Sequence, residues 1–218
     1  MIVLSEYQIR QEIIRVTRIV ANQGLIRSSD GNISVRLDQS RILVTPSGLY
    51  KMAMEPDDPI VVDEKGEVLV GKPGFRPTSE INMHLEVFRQ RPDINAVLHA
   101  HPPYATALTI AGMPFPTDYL PEVLIALGDV PVAKYGTPGT PDLANSIREF
   151  VKKHNAIILS HHGSITIGKT LEEALVALER LEHAAYTYYL AHNLSTPVPL
   201  PAEELRHLRE IGNRIRNQ

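Results

Sequence analysis

Ile94-Asn95-Ala96-Val97-Leu98-His99-Ala100-His101-Pro102-Pro103 is an apolar run that ends in two histidines spaced i, i+2 and is then stopped by two prolines. It reads as a strand that delivers two imidazoles to one place. Side chains at i and i+2 leave the same face of a strand, so His99 and His101 can reach one metal ion while the small Ala100 packs on the opposite face. Zinc and other borderline divalent cations take imidazole nitrogen readily, and a His-x-His pair supplies two ligands of a tetrahedral site. A second apolar run, Ala156-Ile157-Ile158-Leu159-Ser160, also ends in histidine, at His161-His162-Gly163. If the two strands are neighbours, three imidazoles meet at one sheet end and leave a coordination position open for substrate, as catalytic zinc requires. Adjacent strand residues face opposite ways, so only one of His161 and His162 joins easily. Strand geometry alone does not choose between them; Gly163 points to a backbone turn that brings His162 into a cleft.

Composition bounds the rest. A chain of 218 residues is long enough for one substantial core and demands no second domain, so residues 1–218 are read as a single unit. Hydrophobic residues at 43% and charged residues at 22% are globular proportions. A net charge of −3 gives no basic field for nucleic acid. Without cysteine, a metal must rest on histidine and carboxylate. The Met1 to Ser5 stretch is too short for a signal segment, and no apolar run approaches membrane-spanning length, which predicts a cytoplasmic protein.

Around the histidines, strand and helix patterns alternate. Ser5 caps a helix with Ile9, Ile13, Val16 and Val20 at three- and four-residue steps, ending near Asn22-Gln23-Gly24. Ser28 to Gly31 turns into a strand ending at Arg36, with Arg41 to Thr45 as its hairpin partner. That partner runs into the turn Thr45-Pro46-Ser47-Gly48, whose hydroxyls and glycine let a ligand approach the backbone. Strands are expected at Ile60 to Asp63 and Val68 to Val70, and a helix opens at Thr78-Ser79-Glu80 with Ile81, Leu85 and Phe88 on one stripe. Further on, the pattern predicts a helix through Thr106 to Leu108, a strand from Val130 to Tyr135 and a helix from Asp142 to about Lys153. Ser164 to Gly168 then continues as strand. A long helix runs from the Thr170 cap to about His192, and a charged helix follows Pro197.

Glu80, in the first turn of its helix, would ordinarily complement the positive helix end. Hydroxyls and amides at a helix start also hold anions, so Thr78 and Ser79 form a candidate phosphate site beside Glu80, which Gly31-Asn32 and Ser47-Gly48 could complete. No Walker-type or dinucleotide-binding glycine pattern is present.

Gly31-Asn32-Ile33-Ser34, Thr45-Pro46-Ser47-Gly48, Thr78-Ser79-Glu80, His99-Ala100-His101 and His161-His162-Gly163, in this order, resemble the zinc-dependent class II aldolase family that includes L-fuculose-1-phosphate aldolase, rhamnulose-1-phosphate aldolase and L-ribulose-5-phosphate 4-epimerase. The resemblance covers roughly Ser5 to Leu194. It implies a three-layer α/β/α fold around a largely antiparallel central sheet, and a homotetramer with active sites at subunit boundaries. His99, His101 and His162 become ligands of one zinc ion per subunit, with Glu80 a resting-state ligand and the general acid/base. Gly31, Asn32, Ser47, Gly48, Thr78 and Ser79 become the phosphate pocket.

The implied reaction is reversible retro-aldol cleavage of a ketose 1-phosphate, most closely L-fuculose 1-phosphate to dihydroxyacetone phosphate and L-lactaldehyde. The metal stabilises the enediolate charge and Glu80 returns a proton. Tyr119 resembles the aldehyde-end acid of these aldolases, and Tyr135 aligns with an aromatic near the same end. The alternatives are the 4-epimerase, for which Asp118 is the candidate acid/base, a methylthioribulose-1-phosphate dehydratase or aldolase, and a non-catalytic adducin-like binding module. The sequence departs from the bacterial fuculose aldolases in its tail from about residue 195, where no tyrosine follows Tyr189.

Overall fold

In a computed structural model of the chain, which describes residues 4–216, the His99 run forms a buried central strand and everything else is arranged on its two faces. The strands are β1 (Asn32–Arg36), β2 (Ile42–Val44), β3 (Ile60–Val62), β4 (Val68–Val70), β5 (Ala96–Ala100), β6 (Val132–Ala133), β7 (Ala156–Leu159) and β8 (Gly163–Gly168). The helices are α1 (Glu6–Asn22), α2 (Ile81–Gln90), α3 (Pro103–Ile110), α4 (Pro121–Ala126), α5 (Pro141–Ile147), α6 (Leu171–Leu194) and α7 (Ala202–Arg216). The strands form one sheet in the order β4-β3-β2-β1-β5-β8-β7-β6. Every pair is antiparallel except β6 with β7.

Period-two alternation along β5 divides the core. Ala96, Leu98 and Ala100 meet Ile13, Val16 and Val20 of α1 together with Leu171, Leu175 and Leu178 of α6. Val97 faces the other way, against Met83 and Val87 of α2 and Leu143 and Ile147 of α5. A third cluster seats α3 and α4 on Ile158 and on Leu181 of α6. The layering is therefore helix, sheet, helix. Each fully buried aliphatic side chain in these clusters stabilises the fold by about 1.5–3 kcal/mol. At the chain start, Ser5 accepts from the Gln8 amide while the Gln8 side chain accepts from Ser5, a reciprocal cap that fixes where α1 begins.

Four features differ from the sequence-based expectations. The chain reverses after Leu159, where His161 adopts φ +59° and the His162 amide bonds to the Leu159 carbonyl at 3.0 Å. Gly163 to Gly168 therefore folds back as β8 and lies between β5 and β7, so the two runs ending in histidine are not adjacent strands. The strand expected at Val130 to Tyr135 is only the two-residue β6. The helix expected from Asp142 stops at Ile147 and continues as hydrogen-bonded turns, with Val151 N to Ile147 O at 3.0 Å, which still bury Val151. Finally, Pro121, in a stretch given no helix, occupies the first turn of α4, where its fixed φ is favourable and its missing N–H costs nothing.

The charged tail helix α7 packs on α4. Arg216 donates to the Leu124 and Ile125 carbonyls at 2.7 Å each, satisfying the free carbonyl end of α4. No helix among the described residues is long and apolar enough to cross a membrane.

Candidate metal centre

His99 is the penultimate residue of β5 and is completely buried. Its Nδ1 lies 2.8 Å from the Ser164 carbonyl oxygen on β8. A carbonyl only accepts, so Nδ1 carries the hydrogen and, in the neutral ring, Nε2 presents a lone pair. That Nε2 is 3.0 Å from Nε2 of His101 and 3.1 Å from Oε2 of Glu80. Nε2 of His162 stands 3.3 Å from Oε1 of the same carboxylate. The three imidazole rings lie 4.8–4.9 Å apart between centroids, and one nitrogen from each falls within 4.8 Å of the others.

The His101 side of the site is set by the end of the strand. β5 stops at Ala100, so His101 sits one residue beyond it, held by its amide bond to the Leu25 carbonyl at 2.8 Å. The ring still reaches the side of His99. His162 arrives differently, from the reversal between β7 and β8. Gly163 permits that approach, since a Cβ there would lie 2.3 Å from the Ala100 carbonyl. His161 points elsewhere: it is exposed, and Nδ1 pairs with the Ser160 hydroxyl at 2.9 Å.

The electrostatics suit a cation. Burial, reinforced by His99 and His162, pushes His101 down to about 3, and burial with His99 pushes His162 down to about 4. Both rings are thus neutral near pH 7, the form that binds metal. Burial alone would raise the Glu80 carboxyl, but positive charge placed between it and the His99 and His162 rings, together with the Asn32 amide, outweighs burial and holds the group well below the usual carboxylate range. Glu80 Oε1 is buried without a hydrogen-bond partner. A carboxylate oxygen facing imidazole lone pairs at about 3 Å is stable only with positive charge between them, and three nitrogens aimed at one point fit a divalent ion better than a proton.

Glu80 occupies the N-cap position of α2, yet its side chain makes no cap bond and turns into the imidazoles instead. Asn32, the first residue of β1, donates from Nδ2 to Glu80 Oε2 at 2.8 Å. The segments expected to hold phosphate are tied to this corner. Thr78 donates its amide to the Thr45 carbonyl, Ser47 donates to the Arg76 carbonyl at 2.9 Å, and the Glu80 amide donates to the Thr78 hydroxyl. Gly31 has φ +69° and packs so closely that a Cβ would meet Ile26 Cγ2 at 2.5 Å and the His99 carbonyl at 3.0 Å. Ser47, Gly48 and Ser79 are exposed, whereas Asn32 and Thr78 are buried.

Lys51 stitches two of these loops together, a role with no sequence signal. Its ammonium is buried and donates to the Ser29, Leu49 and Pro46 carbonyls. His84 also carries no chemical motif, although its position four residues after Glu80 places both residues on one side of α2. It is fully buried, contacts Ser34 and Asn32, and is pushed down to about 3 by burial and then by His99.

Tyr119, Asp118 and Tyr135 do not join the cluster through the contacts they make in this chain. Tyr119 packs its ring on Tyr188 of α6 at 4.9 Å. The Asp118 carboxylate is held by Arg209 of α7 at 2.9 Å, and its carbonyl accepts from Leu200. Tyr135 is exposed. A cleft of about 700 Å³ opens elsewhere, between α4, α6 and α7, but is lined by charges of both signs and, among the described residues, holds no convergent set of metal-binding groups.

The family model described as "Class II Aldolase and Adducin N-terminal domain" matches residues 11–189. The 5-methylthioribulose-1-phosphate/5-deoxyribulose-1-phosphate aldolase of Rhodospirillum rubrum is 32% identical over 206 residues, covering 94% of this chain and 91% of that protein. The L-fuculose phosphate aldolase of Methanococcus maripaludis is 33% identical, over 84% of this chain and 97% of its own. A solved structure of L-fuculose 1-phosphate aldolase superposes with a TM-score of 0.84 at 33% identity, covering 93% of this chain and 95% of that one.

Proposed function

The chain belongs to the class II aldolase family and is an aldolase, and from that premise we propose that it cleaves a ketose 1-phosphate reversibly to dihydroxyacetone phosphate and a small aldehyde, using His99, His101 and His162 to hold zinc and Glu80 to move the proton. The observation that carries this reading is the buried Glu80 carboxylate set 3.1 and 3.3 Å from two of three converging imidazoles. A divalent ion held there supplies Lewis-acid charge for the oxygens of the substrate.

The chain's own groups do the rest. Gly31, Asn32, Ser47, Gly48, Thr78 and Ser79 bind the phosphate through amides and hydroxyls, which fixes the triose half against the imidazoles. When the carbon-carbon bond breaks, its electron pair stays with the triose phosphate carbon, and Glu80 delivers a proton to that carbon. Tyr119 belongs to the aldehyde end, where it takes up the hydroxyl proton of the departing half on cleavage and returns that proton to the aldehyde oxygen in the synthetic direction. Tyr135 is assigned to the same end.

The substrate proposed first is L-fuculose 1-phosphate. A 5-deoxyribulose 1-phosphate or its methylthio analogue shares the same triose half and, like fuculose, ends in an apolar group; the names of the relatives support this class. The Arg209 pairing of Asp118 supports cleavage over epimerisation, because that carboxylate is already engaged by the tail. A cytoplasmic homotetramer belongs to the same proposal. The exposed stripe Tyr186, Tyr189, Leu190 and Leu194 on α6 supports a covered face, and a solution mass near 24.3 kDa would reject it.

The test is a panel of L-fuculose 1-phosphate, 5-deoxyribulose 1-phosphate, 5-methylthioribulose 1-phosphate and L-ribulose 5-phosphate, with coupled detection of dihydroxyacetone phosphate. Release from at least one ketose 1-phosphate is expected. Conversion of L-ribulose 5-phosphate to xylulose 5-phosphate, with no triose phosphate from any substrate, would overturn the proposal.

A further inference from the structure

We propose that His84 is a positioning residue that fixes the Glu80 carboxylate through Asn32. The inference rests on the reading above, in which Glu80 moves the proton. Three contacts form one directed chain from β1 to α2 and back. The Ser34 hydroxyl lies 2.6 Å from His84 Nδ1, His84 Nε2 lies 2.5 Å from Asn32 Oδ1, and Asn32 Nδ2 lies 2.8 Å from Glu80 Oε2. Ser34, His84, Asn32 and Glu80 are all buried, Ser34 and His84 completely.

The hydrogens in this chain have one consistent placement. A carboxylate oxygen only accepts, so the Asn32 NH2 group must face Glu80 and its carbonyl must face His84. That carbonyl in turn only accepts, which places the imidazole hydrogen on Nε2. Nδ1 is then an acceptor, and the Ser34 hydroxyl is its donor. An isolated Asn32 could rotate its amide and present oxygen to Glu80, which would repel the carboxylate. His84 excludes that rotamer by donating to the carbonyl side of the amide. Because the chain ends at a fully buried serine, it orients groups and does not carry protons to solvent.

The helix makes the arrangement economical. Residues four apart on α2 lie one above the other, so the same face that carries Glu80 into the imidazoles carries His84 beneath it, and both reach the start of β1. The backbone route holding β1 is separate: Asn32 and His99 are register partners in the β1–β5 ladder. Losing the His84 bonds therefore frees the Asn32 amide without detaching the strand.

Two measurements test the proposal. Spectra of the ¹⁵N-histidine-labelled wild-type protein should show His84 as the neutral Nε2–H tautomer at pH 7; the Nδ1–H tautomer or an imidazolium would overturn it. Kinetics should then separate two variants. His84→Phe removes both bonds and should lower kcat by about 10- to 100-fold with metal content little changed and KM moving far less than kcat, because Gly31, Ser47, Gly48, Thr78 and Ser79 still hold the phosphate. His84→Gln, whose amide N–H can reach the Asn32 carbonyl, should regain most of that loss. Unchanged kcat in His84→Phe, or equal impairment of both variants, would overturn the proposal. If His84→Phe does not fold, the wild-type tautomer decides. Failure of the aldolase reading is distinguishable, since the wild type itself would then turn over no ketose 1-phosphate.

Discussion

Nε2 of His99 lies 3.1 Å from Oε2 of Glu80, joining the central strand β5 to the N-cap of α2. The two side chains come from elements that pack through Val97, Met83 and Val87. Their separation is set by the core and not by a flexible loop. A helix that began one residue later would rotate the carboxylate by about 100° and remove it from the imidazoles.

Glu80→Gln keeps the volume and loses the base. The expected outcome is a fall in kcat of about 10²- to 10⁴-fold with metal still bound. The measurement is deuterium exchange into dihydroxyacetone phosphate in the absence of aldehyde, which should disappear. Retained exchange would show that another group moves the proton.

Replacing His162 by alanine should strip bound metal, whereas His161→Ala should leave the stoichiometry unchanged, since His161 is exposed and paired with Ser160. Metal analysis after dialysis decides between them. Equal loss from both variants would mean that the turn as a whole, not one imidazole, holds the ion.

Gly31→Ala should destabilise the fold by about 1–3 kcal/mol, because the new methyl meets Ile26 and the His99 carbonyl on a backbone with φ +69°. Thermal unfolding measures it. Gly48→Ala is the control: φ is +72°, but nothing lies within 4 Å of the added atom, so only the backbone cost remains.

Lys51 supplies a pH dependence. Burial, partly offset by Asp30, pushes its ammonium down to about 8 from the ordinary 10.5. Between those values the unfolded chain binds more protons than the folded one, so stability rises with pH across the window. Compared with Lys51→Met, the wild type should gain stability from pH 8 to 10.5, by at most about 3 kcal/mol. Urea unfolding at several pH values checks the sign. A gain on acidification in this range would contradict it.

Much of the site was legible because strand and helix periods are local. His99 and His101 could be placed on one side from a spacing of two, and Thr78-Ser79-Glu80 at a helix start from its hydroxyls and the stripe that follows. Long-range order was not legible. Gly163 signals a turn after the Ala156 run, but the sequence does not say that the turn is a full reversal at His161, a residue with φ +59° where glycine is usual, which places β8 between the two histidine runs. The Asp142 helix was read too long because Val151 keeps the apolar period in turns that are no longer regular helix. Pro121 gives no clear helix signal because proline marks loops as often as helix starts. The buried contacts of Lys51 and His84 depend on which loops and strands meet, and polar side chains give little advance sign of that.

The most direct test is to remove and restore the metal. Chelation should abolish release of dihydroxyacetone phosphate from the active ketose 1-phosphate, and titration with zinc should restore it with an end point of one ion per chain. The variants His99→Ala, His101→Ala and His162→Ala should fail to recover. Full turnover by the metal-free protein, or recovery of zinc-dependent activity in those variants, would contradict the assignment of the three imidazoles and Glu80 as the catalytic centre.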